Sequence, residues 1–319
     1  TGPMRFSRSP HTRGLARLME LAPSLGIEEI WLEKSSQSGL SEAVRSYIAW
    51  RADQSPCPMM LVLPTEQKGR EIVGKRIMPL FNAEPLKSLQ TEFIRDVNKS
   101  SIQLANGFVL FLAWSGSPTS LASHPCGVVI NDETDKYEIT SGRESDPLSL
   151  SRARLKTYGG KQLLVALSTP TTPDGVIHTG RASCPVQLRY HVPCPECGEW
   201  QVLIWDRLRY PAAEAGETRE AHANRVGTDR SVGYECSGCS VVIDPTHRRA
   251  MLSRGVWATE HAAGQPGFDT LAGEADGIVF DGWPAGRKVG VRINDLSVYW
   301  IEWWRTAEAG ILAGAEPVR

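Results

Sequence analysis

Two segments bring together residue types that handle phosphate esters. The first is Lys34-Ser35-Ser36-Gln37-Ser38-Gly39-Leu40-Ser41-Glu42, which follows the strand-like run Ile30-Trp31-Leu32 and leads into a helix-like run. The second is Gly127-Val128-Val129-Ile130-Asn131-Asp132-Glu133, an apolar strand ending in two adjacent carboxylates. Strand, small-residue loop, helix, and a later strand ending in Asp-Glu are the parts of a phosphate-loop nucleotidase. In that design loop amides and a lysine hold phosphates, a hydroxyl and an aspartate hold Mg²⁺, and a glutamate activates water.

The loop departs from the usual G-x-x-x-x-G-K-S/T pattern. Lys34 stands at the first glycine position, Leu40 at the lysine position and Ser41 at the metal-binding hydroxyl. Phosphates need a cation, amides and a helix N-terminus, and a lysine can enter from the front of the loop. Asp132 and Ser41 are then the expected Mg²⁺ contacts, with Glu133 the base or orienter of water. Blander readings stand beside these: a polar turn for the loop, and for Asp132-Glu133 an acidic helix start. Ser168-Thr169 ends an apolar run before Pro170, so either a γ-phosphate sensor or a cap before a proline turn fits.

Cys194-Pro195-Glu196-Cys197 and Cys236-Ser237-Gly238-Cys239 are two C-x-x-C pairs among seven cysteines. They suit a closed, four-thiolate tetrahedral Zn²⁺ site of structural type, with a redox dithiol as the alternative. Gly198 and Gly238 suit the tight turns of such knuckles. The spacer exceeds the common gap of about 15–20 residues, and Pro211–Gly233, rich in Ala, Glu, Gly and Arg, reads as a mobile excursion that accounts for the excess. Cys57, Cys126 and Cys184 read as small buried hydrophobes.

The elements that must position these groups alternate. Apolar strands are expected at Ile30–Leu32, Met59–Leu63, Val109–Leu112, Val128–Ile130 and Leu163–Leu167. Helices are expected at Ser41–Arg51, Glu66–Phe81 and Leu148–Thr157. That alternation predicts an α/β fold with a mostly parallel sheet covered by helices. Asn106-Gly107 marks a hairpin turn, and Gly290–Leu296 is strand-like. Trp300, Trp303 and Trp304 fall on one helical face and read as core. The chain has 319 residues, 41% hydrophobic, with a formal net charge of −1, so any nucleic-acid contact must be a local patch. No apolar run reaches membrane-spanning length, and an odd cysteine count argues against a secreted disulfide framework. Thr1-Gly2-Pro3 ahead of Met4 reads as an expression remnant.

On these motifs the chain resembles the large terminase subunit of tailed bacteriophages, in the GpA-like branch, over most of residues 10 to 310. Lys34–Glu42 is similar to that branch's Lys-Ser-Ala-Gln-x-Gly-Lys-Thr-Glu loop, with Leu40 replacing the second lysine. Pro64-Thr65-Glu66, Asp132-Glu133, Ser168-Thr169-Pro170 and the cysteine pairs each resemble family motifs in the same order. The resemblance implies a P-loop ATPase motor that uses ATP and Mg²⁺ to drive double-stranded DNA into a procapsid. It gives Lys34, Ser35, Ser36, Gln37, Ser38, Gly39, Leu40 and Ser41 to ATP, Glu133 to catalysis, and Ser168 and Thr169 to coupling. It implies partners in a small terminase subunit and a portal, a homo-oligomeric ring when active, no membrane, and residence in the host cytoplasm. Gln37 stands where some relatives carry arginine, so a trans-acting arginine is expected elsewhere, with Arg143 ahead of Arg152 and Arg154. Arg5, Phe6 and His11 are weaker candidates for gripping adenine.

The expected organisation is an ATPase core over 1–190, a four-cysteine zinc-ribbon-like insertion over 191–258, and a segment over 259–319 that packs back on the core. The nuclease domain of the family is expected to be missing, and an isolated fragment of this kind to be monomeric. The rival reading is a non-hydrolysing nucleotide- or DNA-binding module whose function resides in the zinc ribbon. A helicase-like translocase is disfavoured by the lack of a second motor lobe.

Overall fold

A computed structural model describes residues 5–90, 101–137 and 146–314. In chain order its elements are α1 (Pro10–Leu21), β1 (Glu29–Glu33), α2 (Leu40–Gln54), β2 (Pro58–Leu63), α3 (Glu66–Ile72) and α4 (Met78–Phe81). Next come β3 (Ser101–Gln103), β4 (Val109–Trp114), α5 (Pro118–Leu121), β5 (Val128–Asp132), α6 (Pro147–Arg152), β6 (Leu163–Ser168) and α7 (Val176–Ala182). The chain continues through β7 (Val186–Pro193), β8 (Trp200–Val202), β9 (Leu208–Arg209), α8 (Arg219–Asp229), β10 (Gly233–Glu235) and β11 (Val242–Ile243). It ends with α9 (Arg248–Arg254), β12 (Val256–Ala258), α10 (Glu260–Ala263), α11 (Phe268–Glu274), β13 (Lys288–Arg292) and α12 (Trp303–Leu312).

By contacts the chain divides into two units. One is Leu18–Gln187 with Pro284–Arg292; the other takes the chain before, between and after these segments. In the first unit the strand order is β13-β1-β6-β5-β2-β4-β3. All neighbours run parallel except the β3–β4 hairpin. The fold is therefore α/β with a mostly parallel sheet, as the alternating runs predict. Alternate residues explain the burial. Trp31, Met60, Val62, Val129, Leu164 and Ala166 share one cluster with Leu121, Leu148 and Ile177 of the helices. Their neighbours Ile30, Leu32, Leu61, Leu63, Ile130, Val165 and Leu167 are equally buried, so both faces are covered. Asn131, a polar residue in this apolar strand, is fully buried because its Oδ1 accepts the Ser151 hydroxyl of α6 at 3.0 Å.

Register aligns the strand ends. Glu33 pairs with Ser168 across β1–β6, and Asp132 pairs with Leu167 across β5–β6. Lys34, Glu133 and Thr169 therefore leave the sheet side by side at its C-terminal edge, where parallel α/β sheets open their crevice.

In the second unit β7 pairs antiparallel with β8 and β12, and β9, β10 and β11 form a small antiparallel sheet. Trp257, Trp303, Tyr190 and Tyr234 are its large buried side chains. Arg248 is fully buried as well; its Nη2 donates to the carbonyls of Val298 and Tyr299 at 2.8 and 2.9 Å, and also to that of Ile301. The stretch 211–233, expected as a mobile excursion, carries α8. Its Thr218 side chain accepts the Ala221 amide, and its inner face buries His222, Ala223 and Val226. The Ala, Glu and Arg content that reads as low hydrophobicity is also good helix-forming composition. Trp300 differs too: it is 43% exposed, ahead of the helix, while Trp303 is buried within it.

Candidate functional site

The loop leaves β1 at Glu33, and Lys34 is held there by its amide, which donates to the Ser168 carbonyl at 3.0 Å. Gln37 and Gly39 take left-handed backbone conformations, with φ of 55° and 82°. Gly39 meets this need without strain. As N-cap of α2 it offers no side-chain acceptor, so the first turn of a 15-residue helix receives no side-chain cap from it. Leu40 is 0% exposed and belongs to the core. A lysine at that position would have to leave the core.

Lys34 is 8% exposed. Burial pushes its ammonium below the ordinary lysine range, while Asp132 and then Glu133 oppose that shift. Ser41 Oγ donates to Asp132 Oδ1 at 3.4 Å, and Arg45 Nη1 lies 3.8 Å from Asp132 Oδ2. Burial raises the Asp132 carboxyl above its usual range, against the pull of Lys34 and Arg45. One hydroxyl and one carboxylate oxygen at this spacing fit a small hard cation, whose adjacent octahedral ligands stand about 3 Å apart. The buried carboxylate adds the charge such a cation needs.

Glu133 has φ 60° and ψ 47°, uncommon for a residue with a side chain. Its amide donates to the Leu167 carbonyl at 2.7 Å, and its carboxylate pairs with Lys136 at 2.9 Å. It stands at the N-cap of a 3₁₀ turn, Thr134–Lys136, with Asp135 in that turn, and makes no side-chain capping bond. Ser168 Oγ accepts the Asp135 amide at 3.3 Å and donates to the Thr169 carbonyl at 3.1 Å. Thr169 is partly exposed. Ser38 is buried, Ser35 partly buried, and Ser36 and Gln37 are exposed. The structure thus gathers Lys34, Ser41, Asp132, Glu133 and Ser168 at one sheet edge.

Arg143 lies outside the described residues. Arg152 and Arg154 are engaged elsewhere. Arg152 pairs with Glu29 at 3.2 Å, at the far end of β1 from Lys34, and Arg154 donates to the Ala122 carbonyl at 2.7 Å. His11 packs its ring against Tyr190 and Trp300.

The four cysteines come from two hairpin tips, β7–β8 and β10–β11. Their sulfurs all lie within 4.8 Å of one another, Cys197 and Cys236 at 3.7 Å. Tetrahedral zinc with bonds of about 2.3 Å requires sulfurs about 3.8 Å apart, so the cluster fits the ion. The Gly238 amide donates to Cys236 Sγ at 3.3 Å. Burial opposes ionisation of Cys236, but hydrogen bonds from the amides of Cys239 and Gly238 and from the Cys194 and Cys239 side chains together draw the thiol down to about 7. Gly198 takes the left-handed turn of the first knuckle (φ 79°); in the second that conformation falls on Ser240 (φ 58°), not on Gly238. Gly238 instead gives room to Glu199, which a Cβ would approach at 3.0 Å.

A family model described as the ATPase domain of the phage terminase large subunit gpA matches residues 1–257. The chain belongs to that family. Among solved structures it is similar to the large terminase of a thermophilic bacteriophage, at 15% identity and a TM-score of 0.41, over 54% of this chain and 41% of that one. It is also similar to the large terminase ATPase domain of Thermus phage P74-26, at 18% identity and a TM-score of 0.35, over 46% of this chain and 61% of that one. The chain spans less than two thirds of either of these structures. No curated protein matches it. Among the described residues no helix is long and apolar enough to cross a membrane.

Within this terminase ATPase fold three side chains stand out that sequence reasoning missed. Arg45 reaches Asp132 from the α2 turn after Ser41; the i+4 spacing was the available signal. Glu33, immediately before Lys34, is buried among Arg181 at 2.6 Å, Arg292 at 3.0 Å and His178 at 3.1 Å. Asp135 bridges two loops. Nothing local in the sequence marks either acid.

Proposed function

We propose that the chain is the ATPase motor part of a DNA-packaging terminase, hydrolysing ATP with Mg²⁺ to drive double-stranded DNA into a procapsid. The observation that carries this reading is the convergence of Lys34, Ser41, Asp132 and Glu133 at the sheet edge of a terminase ATPase-family chain. Lys34 and the amides of 35–41 bind the phosphates. Ser41 and Asp132 hold Mg²⁺, which when bound neutralises phosphate charge. Glu133 orients the attacking water and takes its proton. Catalysis is then mainly positioning and charge stabilisation.

Ser168 and Thr169 couple the site to movement, since Ser168 receives the amide of the turn that carries Glu133. Arg143 is the candidate for a neighbouring subunit's γ-phosphate in a homo-oligomeric ring. The small terminase subunit and the portal are the proposed partners. Zn²⁺ at Cys194, Cys197, Cys236 and Cys239 is a fold support, since four thiolates leave no open position for chemistry.

The test is Mg²⁺-dependent ATP hydrolysis, with and without double-stranded DNA, beside Lys34→Ala and Glu133→Ala. Lys34→Ala is expected to weaken nucleotide binding; Glu133→Ala is expected to keep binding and lose turnover. Equal turnover by wild type and Glu133→Ala would refute the assignment. DNA binding that requires zinc, with neither turnover nor nucleotide binding, would move the function to the cysteine module.

A further inference from the structure

Asp135 follows Glu133 by two residues and has no task in the proposed chemistry, yet its carboxylate accepts three hydrogen bonds. Its amide donates to Ser168 Oγ at 3.3 Å. Its Oδ1 accepts the Ile177 amide at 2.8 Å, and its Oδ2 accepts the Thr171 amide at 3.1 Å and the Thr171 hydroxyl at 3.4 Å. One side chain therefore fastens both ends of the segment between β6 and α7 to the turn after β5. Gly175, the N-cap of α7, gives no side-chain cap of its own. A Cβ at Gly175 would collide with Asp135 Oδ2, so the absence of a side chain there is what lets the carboxylate in.

The turn so fastened is the one whose first residue is strained. A non-glycine residue in the left-handed region persists where its surroundings over-determine it. Glu133 is fixed by its amide bond to Leu167, by the Lys136 amide that its carbonyl accepts, and beyond these by the Asp135 clasp.

We propose that Asp135 is a positioning residue for Glu133. It joins the Glu133 turn to segment 169–177, so that the water-orienting carboxylate and the strand end at Ser168 move as one piece. The proposal rests on the reading of Glu133 as the residue that orients water.

Two variants remove the clasp by different routes. Asp135→Asn keeps the shape but sets an N–H against a backbone N–H at one of its two contacts. Gly175→Ala leaves Asp135 intact and evicts it sterically, without straining a backbone already at φ −60°. The readouts are kcat and KM for MgATP, affinity for a fluorescent ATP analogue, and hydrogen exchange of the Thr171 and Ile177 amides, all on the full chain beside Glu133→Ala. Each variant is expected to lower kcat about tenfold or more while nucleotide affinity stays within about threefold. Both amides exchange faster, and the double variant adds little to either single one.

Wild-type kcat in both variants, with Glu133→Ala inactive, overturns the inference and leaves the hydrolytic reading standing. A joint fall of affinity, kcat and melting midpoint makes Asp135 a fold support and also overturns it. Glu133→Ala turning over like wild type, or a wild-type chain without turnover, removes the reading beneath it.

Discussion

Ser41 Oγ and Asp132 Oδ1 lie 3.4 Å apart although 91 residues separate them in the chain. The meeting follows from register: β1 and β5 both pair with β6, so the loop after β1 and the end of β5 open at the same edge. Ser41→Ala leaves Asp132 as the only protein oxygen of the pair. The Mg²⁺ concentration needed for half-maximal nucleotide binding is expected to rise about tenfold, with Mg²⁺-free binding unchanged. Calorimetric titration with and without Mg²⁺ decides it. A Mg²⁺ dependence identical to wild type removes Ser41 from the site.

Restoring the usual lysine is expected to harm the protein. Leu40 is fully buried, and Leu40→Lys places an ammonium in the core at a cost of about 3 kcal/mol or more. Thermal unfolding should show a clearly lowered midpoint, with no gain in nucleotide affinity. A stable variant that binds ATP more tightly would show instead that the loop has room for a second cation.

The cysteine cluster should carry one zinc per chain, measurable by atomic emission. Removing it with a chelator is expected to unfold the hairpin tips and lower the melting midpoint, because structural zinc contributes directly to folding. Cys239→Ser, which removes one of the four thiolates, should do the same. An unchanged midpoint on exhaustive chelation would leave the four sulfurs as an unmetallated thiol cluster.

His191 sets an acid limit on the unit that contains it. Burial lowers its pKa from 6.5 to about 4, so between these values the unfolded chain binds more protons than the folded one. Stability is then present above pH 6.5 and declines as pH falls toward 4, by about 3 kcal/mol at most. Denaturant melts at a series of pH values should show His191→Gln flattening this decline. An acid limb identical to wild type would put the loss on other groups.

The core strands are legible in the sequence because a parallel sheet covered on both faces writes itself as short unbroken apolar runs such as Met59–Leu63 and Leu163–Leu167. The loop and the Asp132-Glu133 pair are legible because glycine, serine and carboxylate types cluster at the ends of such runs. Glu33 is not: a charged residue closing a strand reads as solvated, and the arginines that bury it come from α7 and β13, far along the chain. Asp135 is hidden for the same reason, since its partners follow β6 rather than β5. The helix α8 is hidden because its burial falls on small residues, Ala223 and Val226 among charged ones, with too little apolar mass to mark a face.

The pairing of β1 with β13 joins residues 259 positions apart, Glu29 with Lys288 through Glu33 with Arg292. A ribosome delivering this chain releases the loop-bearing strand long before its outer neighbour. Until then one side of β1 offers unpaired amides and carbonyls to any passing strand. The order of synthesis therefore sets a waiting period, which a chaperone or the nascent chain itself must cover. A piece cut at residue 190 would keep every residue proposed to bind phosphate and still never leave that period.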